Sequence, residues 1–168
     1  MGEKDGSEHS AICIINQTLS ELDALESSSQ LYNLIEKSSD VGSGASGNVQ
    51  YSNGKVNVNI AGSFSMGLFG RELKHAYQFE SGSLSFNLSN GNGGVLYDLQ
   101  DEVEAYNRGS FFGEARQNLA NIKVLYPGIQ DRTTQRTLDT PTTPGKPHTY
   151  RNSFEFFDKS GSAMRQII

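Results

Sequence analysis

The sequence predicts one α+β domain covering residues 1–168, and three observations favour this class. Apolar residues recur at helical spacing near the start, an Asn-Gly turn signal stands beside an alternating strand, and amphipathic helices follow. The predicted order is helix, hairpin, helices, loop and strand, which suggests an α+β fold. A chain of 168 residues is long enough to bury one continuous core.

The first third of the chain predicts a long helix and then a β-hairpin. Leucines at three- and four-residue spacings favour a helix from about Asn16 to Lys37, which the patch Ser27–Ser29 bends or divides. Ser38–Asn48 has the composition of a loop. Asn53-Gly54 then predicts a two-residue hairpin turn, and Val56–Ile60 alternates apolar and polar residues as a half-buried strand does.

The remainder predicts three helices, a long surface loop and a late strand. A helix from about Met66 to Phe79 would bury one apolar stripe, and shorter helices are expected at about Leu99–Arg108 and Phe111–Lys123. Pro127–Pro147 is rich in threonine and proline, which predicts a long surface loop. His148–Asp158 alternates around aromatic residues, as a strand does.

The composition argues against several classes of protein. The net charge is -5 and the basic residues are scattered, whereas a nucleic-acid phosphate backbone requires a clustered basic face. The single cysteine, Cys13, excludes an intrachain disulfide framework and is expected to be a buried, inert thiol. Its apolar run Ala11–Ile15 is too short to span a membrane and lacks the cationic flank of a signal peptide. We therefore expect a soluble domain, which could belong to a longer exported protein.

The clearest chemical motif lies on the helix predicted at Met66–Phe79. In the metal-hydrolase pattern His-Glu-x-x-His, two histidines four residues apart bind zinc from one side of a helix, and the intervening glutamate polarises a metal-bound water. Glu72 and His75 match this pattern, whereas Arg71 stands at the position of the first histidine. Glu-x-x-His alone is weak evidence, because it arises by chance in many helices.

The surroundings of the motif add weight to it. The strand Val56–Ile60 precedes the helix by a short turn, and Glu102 lies on the next predicted helix. A glutamate there could complete a three-ligand site with one position open for water, the arrangement that hydrolytic zinc requires. Asp101 and Glu104 are rival ligands, although the three carboxylates point in different directions on a helix. The simpler alternative is that acidic residues near a helix start are favoured by the helix dipole.

These two blocks together resemble a known family. Arg71–Gly82 is similar to the His-Glu-Leu-x-His-Ala-Tyr-Gln helix of the zincin-type metallopeptidase toxin domains, which are found at the C-termini of bacterial Rhs/YD-repeat proteins. Tyr97–Tyr106 resembles the second block of these domains. The likeness covers about Val56 to Phe112. It implies a zincin-like fold, with a small twisted sheet, an active-site helix and a following helix that carries the third ligand.

The resemblance implies a role for each matching position. Glu72 would be the general base, His75 and Glu102 would be zinc ligands, and Arg71 stands where the first histidine ligand is missing. A guanidinium has no free lone pair and stays protonated, so it cannot bind zinc. We expect Arg71 to form a salt bridge with Glu102 or Glu72 instead. His148 could replace the missing ligand, although a solvated loop residue is the simpler interpretation.

The expected function is that of a zinc-dependent metallopeptidase-type toxin or effector domain, inactive in this sequence because of Arg71. Zinc is the implied cofactor. The implied partners are a protein or peptide substrate and an immunity protein, and binding to nucleic acid or to a membrane is not expected. Secretion within a larger bacterial effector is implied, and a substrate peptide would pair with the strand Val56–Ile60. The alternatives are a non-catalytic protein-binding module on the same fold, or an unrelated α+β interaction domain with a coincidental motif.

Overall fold

The computed structural model confirms an α+β fold for the residues that it describes, which are 4–41, 45–87, 94–96, 98–127, 129, 155–157 and 163–165. These residues form four helices, a three-stranded sheet and two small two-stranded sheets. The elements in chain order are α1 (Lys4–Ser27), β1 (Leu31–Glu36), β2 (Gly47–Ser52), β3 (Lys55–Ile60), α2 (Met66–Glu80), β4 (Ser85–Asn87), β5 (Gly94–Leu96), α3 (Leu99–Phe111), α4 (Leu119–Leu125), β6 (Glu155–Phe157) and β7 (Ala163–Arg165).

The three-stranded sheet has the order β1-β3-β2, with β1 parallel and β2 antiparallel to β3. Asn53 and Gly54 form the turn between β2 and β3, and both have positive φ, 51° and 77°, as a type I′ turn requires. The predicted hairpin and the strand Val56–Ile60 are therefore confirmed. The expectation that a peptide would pair with Val56–Ile60 is wrong, because β3 is hydrogen-bonded along both of its edges.

The prediction of a helix from Asn16 to Lys37 is wrong beyond the serine patch Ser27–Ser29. α1 begins earlier than predicted, at Lys4, and ends at Ser27. The segment Leu31–Glu36 is a strand, which pairs in parallel with β3. Its apolar positions fit a helical stripe as well as a strand, so the sequence pattern did not separate the two.

Several side chains between residues 10 and 20 of α1 are exposed. Cys13 is an exposed free thiol, in contrast with the buried thiol expected from its apolar run. Ile12 and Ile15 are also exposed, because the part of α1 that is buried against the domain lies further along, at Glu21 and Leu25. In the part of the chain that the structure describes, we find no helix with the length and apolar character needed to cross a membrane.

The helix predicted at Met66–Phe79 is α2, which ends one residue later at Glu80. Its N-cap is Ser65, whose hydroxyl accepts a hydrogen bond from the backbone N–H of Leu68 at 3.4 Å. The structure thus starts the helix immediately after the loop that follows β3. The start of α2 is consequently held close to the end of β3.

One face of α2 packs against the three-stranded sheet. The predicted apolar stripe is confirmed at its centre, where Leu73 and Ala76 are buried, whereas Phe69 and Tyr77 are half-buried. Rings of Phe79 and neighbouring aromatic residues fill the end of this layer. The main core consists of Leu25, Val49, Val56, Val58, Leu73, Ala76, Phe79, Leu84 and Phe86.

The two helices predicted after the motif are partly confirmed. α3 contains the predicted Leu99–Arg108 and continues to Phe111. The predicted helix Phe111–Lys123 is wrong as one element, because the chain turns at Gly113, whose φ is 98°, and α4 begins only at Leu119. This turn between α3 and α4 carries a residue that the candidate site uses.

Some predictions fall outside the described residues. The predicted loop Pro127–Pro147 lies outside them, apart from residues 127 and 129, and so does His148. Within the predicted strand His148–Asp158, the described residues Glu155–Phe157 form β6, which pairs antiparallel with β7. The late strand is therefore confirmed for these three residues.

Candidate functional site

The candidate site lies where α2 and α3 pack against each other. Its two predicted ligands meet there, because Nε2 of His75 lies 3.7 Å from Oε1 of Glu102, and the side chains are 5% and 1% exposed. Two ligands of one tetrahedral zinc ion would lie about 3.4 Å apart. The fold therefore brings together the histidine and the carboxylate that the sequence pattern paired, one from each helix.

Three glycines allow the two helices and the following turn to approach closely. A Cβ on Gly70 would lie 2.8 Å from the ring of Phe112, and one on Gly109 would lie 2.2 Å from Oε2 of Glu114. A Cβ on Gly67 would lie 2.5 Å from the backbone nitrogen of Glu114. A larger residue at any of the three would displace a ring, a carboxylate or the main chain, so these glycines set the spacing of the site.

His75 is oriented by a neighbour on its own helix. Nδ1 of His75 lies 2.8 Å from Oε1 of Gln78, which is buried. The amide nitrogen of Gln78 donates a hydrogen bond to the backbone carbonyl of Asp101 on α3 at 3.0 Å. Gln78 thus links the histidine of α2 to the first turn of α3.

Arg71, at the position where the sequence pattern lacks its first zinc ligand, carries a paired guanidinium. Its Nη2 lies 2.9 Å from Oε1 of Glu72, its Nη1 lies 2.9 Å from Oε1 of Glu114, and its Cζ lies 4.9 Å from the ring centre of Tyr106. Burial opposes the charge, but the carboxylates of Glu72 and Glu114 outweigh it and raise the pKa of Arg71. The expected salt bridge to Glu72 is present, and the second carboxylate is Glu114.

The buried cluster at the candidate site contains the carboxylates of Glu72, Glu102 and Glu114 and the guanidinium of Arg71. Burial of Glu114 raises its pKa, and the nearby charges of Glu72 and Glu102 act in the same direction. Arg71 and His75 act in the opposite direction but do not reverse the shift. Glu114 therefore interacts electrostatically with two further carboxylates, those of Glu72 and Glu102, and Arg71 is paired with Glu72 and Glu114.

Two tyrosines border this cluster. The hydroxyl oxygens of Tyr106 and Tyr126 lie 3.5 Å apart. Burial raises the pKa of Tyr106 and of Tyr126, and the nearby charge of Glu102 adds to both shifts. Both phenols consequently stay protonated and contribute polar hydroxyl groups without adding negative charge.

Glu72, the predicted general base, is buried beside Arg71. Its side chain is 1% exposed, and Oε1 accepts hydrogen bonds from Nε and Nη2 of Arg71, while Oε2 has no hydrogen-bond partner among the described residues. A Cβ on Gly47, the first residue of β2, would lie 3.0 Å from Cγ of Glu72. The strand that lines this side of the site is therefore β2, at the sheet edge.

The two rival carboxylates on α3 have other contacts. Asp101 forms a capping box with Asp98, in which each side chain accepts a hydrogen bond from the other residue's backbone N–H, at 2.9 and 3.0 Å. Glu104 is only partly buried, and its Oε2 lies 3.9 Å from Nζ of Lys74. Helix capping explains Asp101, and the geometry favours Glu102 as the carboxylate opposite the histidine.

The residues present do not fit a zinc ion. No group of three His, Cys, Asp or Glu side chains in the described part of the chain is placed to hold a metal ion. His75 and Glu102 supply two donors, and Arg71 has no lone pair to supply the next. The predicted substitute ligand His148 lies outside the described residues.

A second cluster of buried charges supports the site from α1. Glu21 accepts hydrogen bonds from Nη1 and Nη2 of Arg108 at 2.6 and 3.1 Å, and from Nζ of Lys74 at 2.9 Å. Nη1 of Arg108 also donates to the hydroxyl of Thr18 at 2.8 Å. One carboxylate on α1 thus fixes a cation on α2 and a cation on α3.

Sequence reasoning missed Glu21, Gln78 and Glu114. Two of them carried a weak signal, because Glu21 stands four residues before the buried Leu25 and Gln78 stands three residues after His75, on the same helix faces. Glu114 carried none, because it lies in the turn after α3, which the sequence assigned to a helix.

A surface cleft of about 480 Å³ adjoins the cluster. It lies between the start of β2, the end of β3 and the start of α2, and it reaches the ion pair of Arg71 with Glu114. Small residues dominate its wall, and Glu114 is its charged group. The lining residues are Ala45, Ser46, Ala61, Gly62, Ser63, Ser65, Leu68 and Glu114.

Comparisons with known proteins do not identify the chain. It matches no family model, and neither a curated protein nor a solved structure is significantly similar to it. What the domain does must therefore follow from the residues on α2 and α3 and from their surroundings.

Proposed function

We propose that this chain is a metallopeptidase-type toxin domain of the zincin style in which Arg71 has closed the metal position, so that this sequence does not hydrolyse peptides. The supporting observation is the placement of three side chains. His75 and Glu102 face each other at 3.7 Å across two helices, and Arg71 stands four residues before His75, where the pattern requires a histidine.

The chemistry of Arg71 explains the loss of activity. Its guanidinium carries the positive charge that a metal ion would bring and is paired with Glu72 and Glu114. It offers no ligand atom, and it also holds the carboxylate that would act as the base. Both requirements of metal-assisted hydrolysis, a bound metal and a free base, are therefore removed by one residue.

Binding of a protein or peptide partner is the activity that such a domain would keep. The cleft beside Glu114 has a wall of small residues, and the edge strand β2 begins next to Glu72. An extended segment of a partner could lie in such a cleft. A non-catalytic binding module is thus the second candidate function, and an immunity protein or a former substrate is the kind of partner proposed.

The test is the zinc content of three purified proteins, measured by mass spectrometry. They are the unchanged chain, Arg71→His, and Arg116→His, in which an exposed arginine on the same domain is replaced as a control. About one equivalent of zinc in Arg71→His alone is expected, because that variant completes a set of two histidines and one glutamate.

Two outcomes would overturn the proposal. Zinc in none of the proteins would show that Arg71 does not stand at a former metal position, which would leave the binding module or an unrelated interaction domain. Stoichiometric zinc in the unchanged chain would show that the site is open and that another residue supplies the ligand.

A further inference from the structure

Gln78 is a fully buried amide at the contact between α2 and α3. Its side chain is 1% exposed. The amide oxygen has a partner on α2, and the amide nitrogen has a partner on α3. Oε1 lies 2.8 Å from Nδ1 of His75, and Nε2 donates to the backbone carbonyl of Asp101 at 3.0 Å. A second hydrogen bond from Nε2 reaches Oε2 of Glu104 at 3.3 Å.

These partners fix the orientation of the amide. A backbone carbonyl and a carboxylate accept hydrogen bonds, so the group facing Asp101 and Glu104 must be the NH₂ group of Gln78. The group facing His75 is then the amide oxygen, which accepts only. Nδ1 of His75 must therefore carry a hydrogen and donate it to Gln78.

We propose that Gln78 is a positioning residue that keeps a hydrogen on Nδ1 of His75 and thereby directs Nε2 towards Glu102. The distance of 3.7 Å from Nε2 of His75 to Oε1 of Glu102 places Nε2 at the contact between the helices. A histidine held in this way presents Nε2 as its binding atom, and its ring cannot turn without losing the hydrogen bond to Gln78.

The consequence for metal binding rests on the proposed function, whereas the tautomer does not. In metal sites a ligating histidine usually donates its other ring N–H to a carbonyl or carboxylate, and loss of that partner weakens metal binding about 10–100-fold. Gln78 supplies an equivalent acceptor, on the same helix as its histidine. It would thus prepare His75 for a ligand on Nε2 even though Arg71 now closes the neighbouring position.

The tautomer can be measured in the unchanged chain by two-bond ¹H–¹⁵N correlation NMR of the imidazole, in alkaline buffer where free histidines are neutral. The expected pattern for His75 is a protonated Nδ1. An unprotonated Nδ1 in the unchanged chain would overturn the proposal directly, without any variant.

Two variants and a control extend the test. Gln78→Met keeps the length of the side chain but removes the acceptor, so His75 should become a mixture of tautomers. Gln78→Glu keeps an acceptor oxygen and should preserve the tautomer. Gln100→Met, which removes an exposed donor to Glu104, should leave His75 unchanged. A His75 tautomer that is the same in Gln78→Met as in the unchanged chain would overturn the proposal.

Zinc affinity in the Arg71→His background separates this proposal from the proposed function. Adding Gln78→Met should weaken zinc binding about 10–100-fold, and adding Gln100→Met should not. Equal affinities would overturn the role of Gln78 in ligand binding. If Arg71→His takes up no zinc at all, the proposed function fails, and the NMR measurement still decides whether Gln78 fixes His75.

Discussion

Replacing Glu21 by leucine is expected to destabilise the domain strongly, because this carboxylate is the shared partner of two buried cations. The side chain of Glu21 is 3% exposed, and those of Lys74 and Arg108 are 10% and 5% exposed. Three contacts of 2.6–3.1 Å join them. Without the carboxylate, both cations lose their closest acceptor while they stay buried.

The magnitude follows from the burial of the cluster. Removing one partner of a buried ion pair costs about 3–5 kcal/mol, which is a large part of the roughly 5–15 kcal/mol that stabilises a domain. In a domain of this size about 1 kcal/mol shifts Tm by about 2–4 °C, so Glu21→Leu should melt about 6–20 °C below the unchanged chain. Thermal unfolding followed by circular dichroism measures the shift.

A matched substitution and a combined variant decide the cause of the loss. Glu26→Leu replaces an exposed glutamate on the same helix and should change the free energy of unfolding by no more than about 0.5 kcal/mol. Glu21→Leu combined with Lys74→Met and Arg108→Met should recover most of the lost stability, because no uncompensated charge stays buried. Equal melting temperatures for Glu21→Leu and Glu26→Leu would refute the reasoning.

Two further predictions concern the turn after α3. Gly109→Ala should cost about 1–3 kcal/mol of unfolding free energy, because the added Cβ would lie 2.2 Å from Oε2 of Glu114. The control Gly62→Ala, where a Cβ would meet open space, should melt like the unchanged chain. The second concerns pH: because burial raises the pKa of Glu114 above 4.5, the folded state holds this proton more tightly than the unfolded state. The stabilisation is present below pH 4.5 and is lost as the pH rises through the folded-state value, so the Tm of the unchanged chain minus that of Glu114→Gln should fall with rising pH. A rising difference would mean that attraction to Arg71 outweighs the burial of Glu114.

Local signals explain which parts of the fold the sequence predicted well. Asn53-Gly54 encodes its turn through the tolerance of both residues for positive φ, and α2 has both a serine cap and a long apolar stripe. Both features depend on residues that are close in the sequence or on a pattern with one regular period. The contact of His75 with Glu102 was expected from the metal-site pattern and the family resemblance, with Asp101 and Glu104 as rivals to Glu102.

The errors concern contacts between distant parts of the chain. Leu31–Glu36 becomes a strand because it pairs in parallel with β3, where Leu31 lies opposite Lys55, and a local window contains no information on that partner. Glu114 could not be predicted either, since its role depends on the close approach that Gly67 and Gly109 permit. Tertiary contacts overrode local preference in both cases.

The charge balance of the cluster gives a physical reason for an arginine at position 71. Glu72 and Glu102 are buried and Glu114 is largely so, and each of these carboxylates requires positive charge nearby. A metal ion would satisfy that requirement in a complete site, and the guanidinium of Arg71 satisfies part of it through Glu72 and Glu114. A small apolar residue at position 71 would leave Glu72 and Glu114 without their guanidinium partner. Arg71 therefore supplies positive charge to this group of buried carboxylates, and under the proposed function the uptake of zinc by Arg71→His would be coupled to its stability.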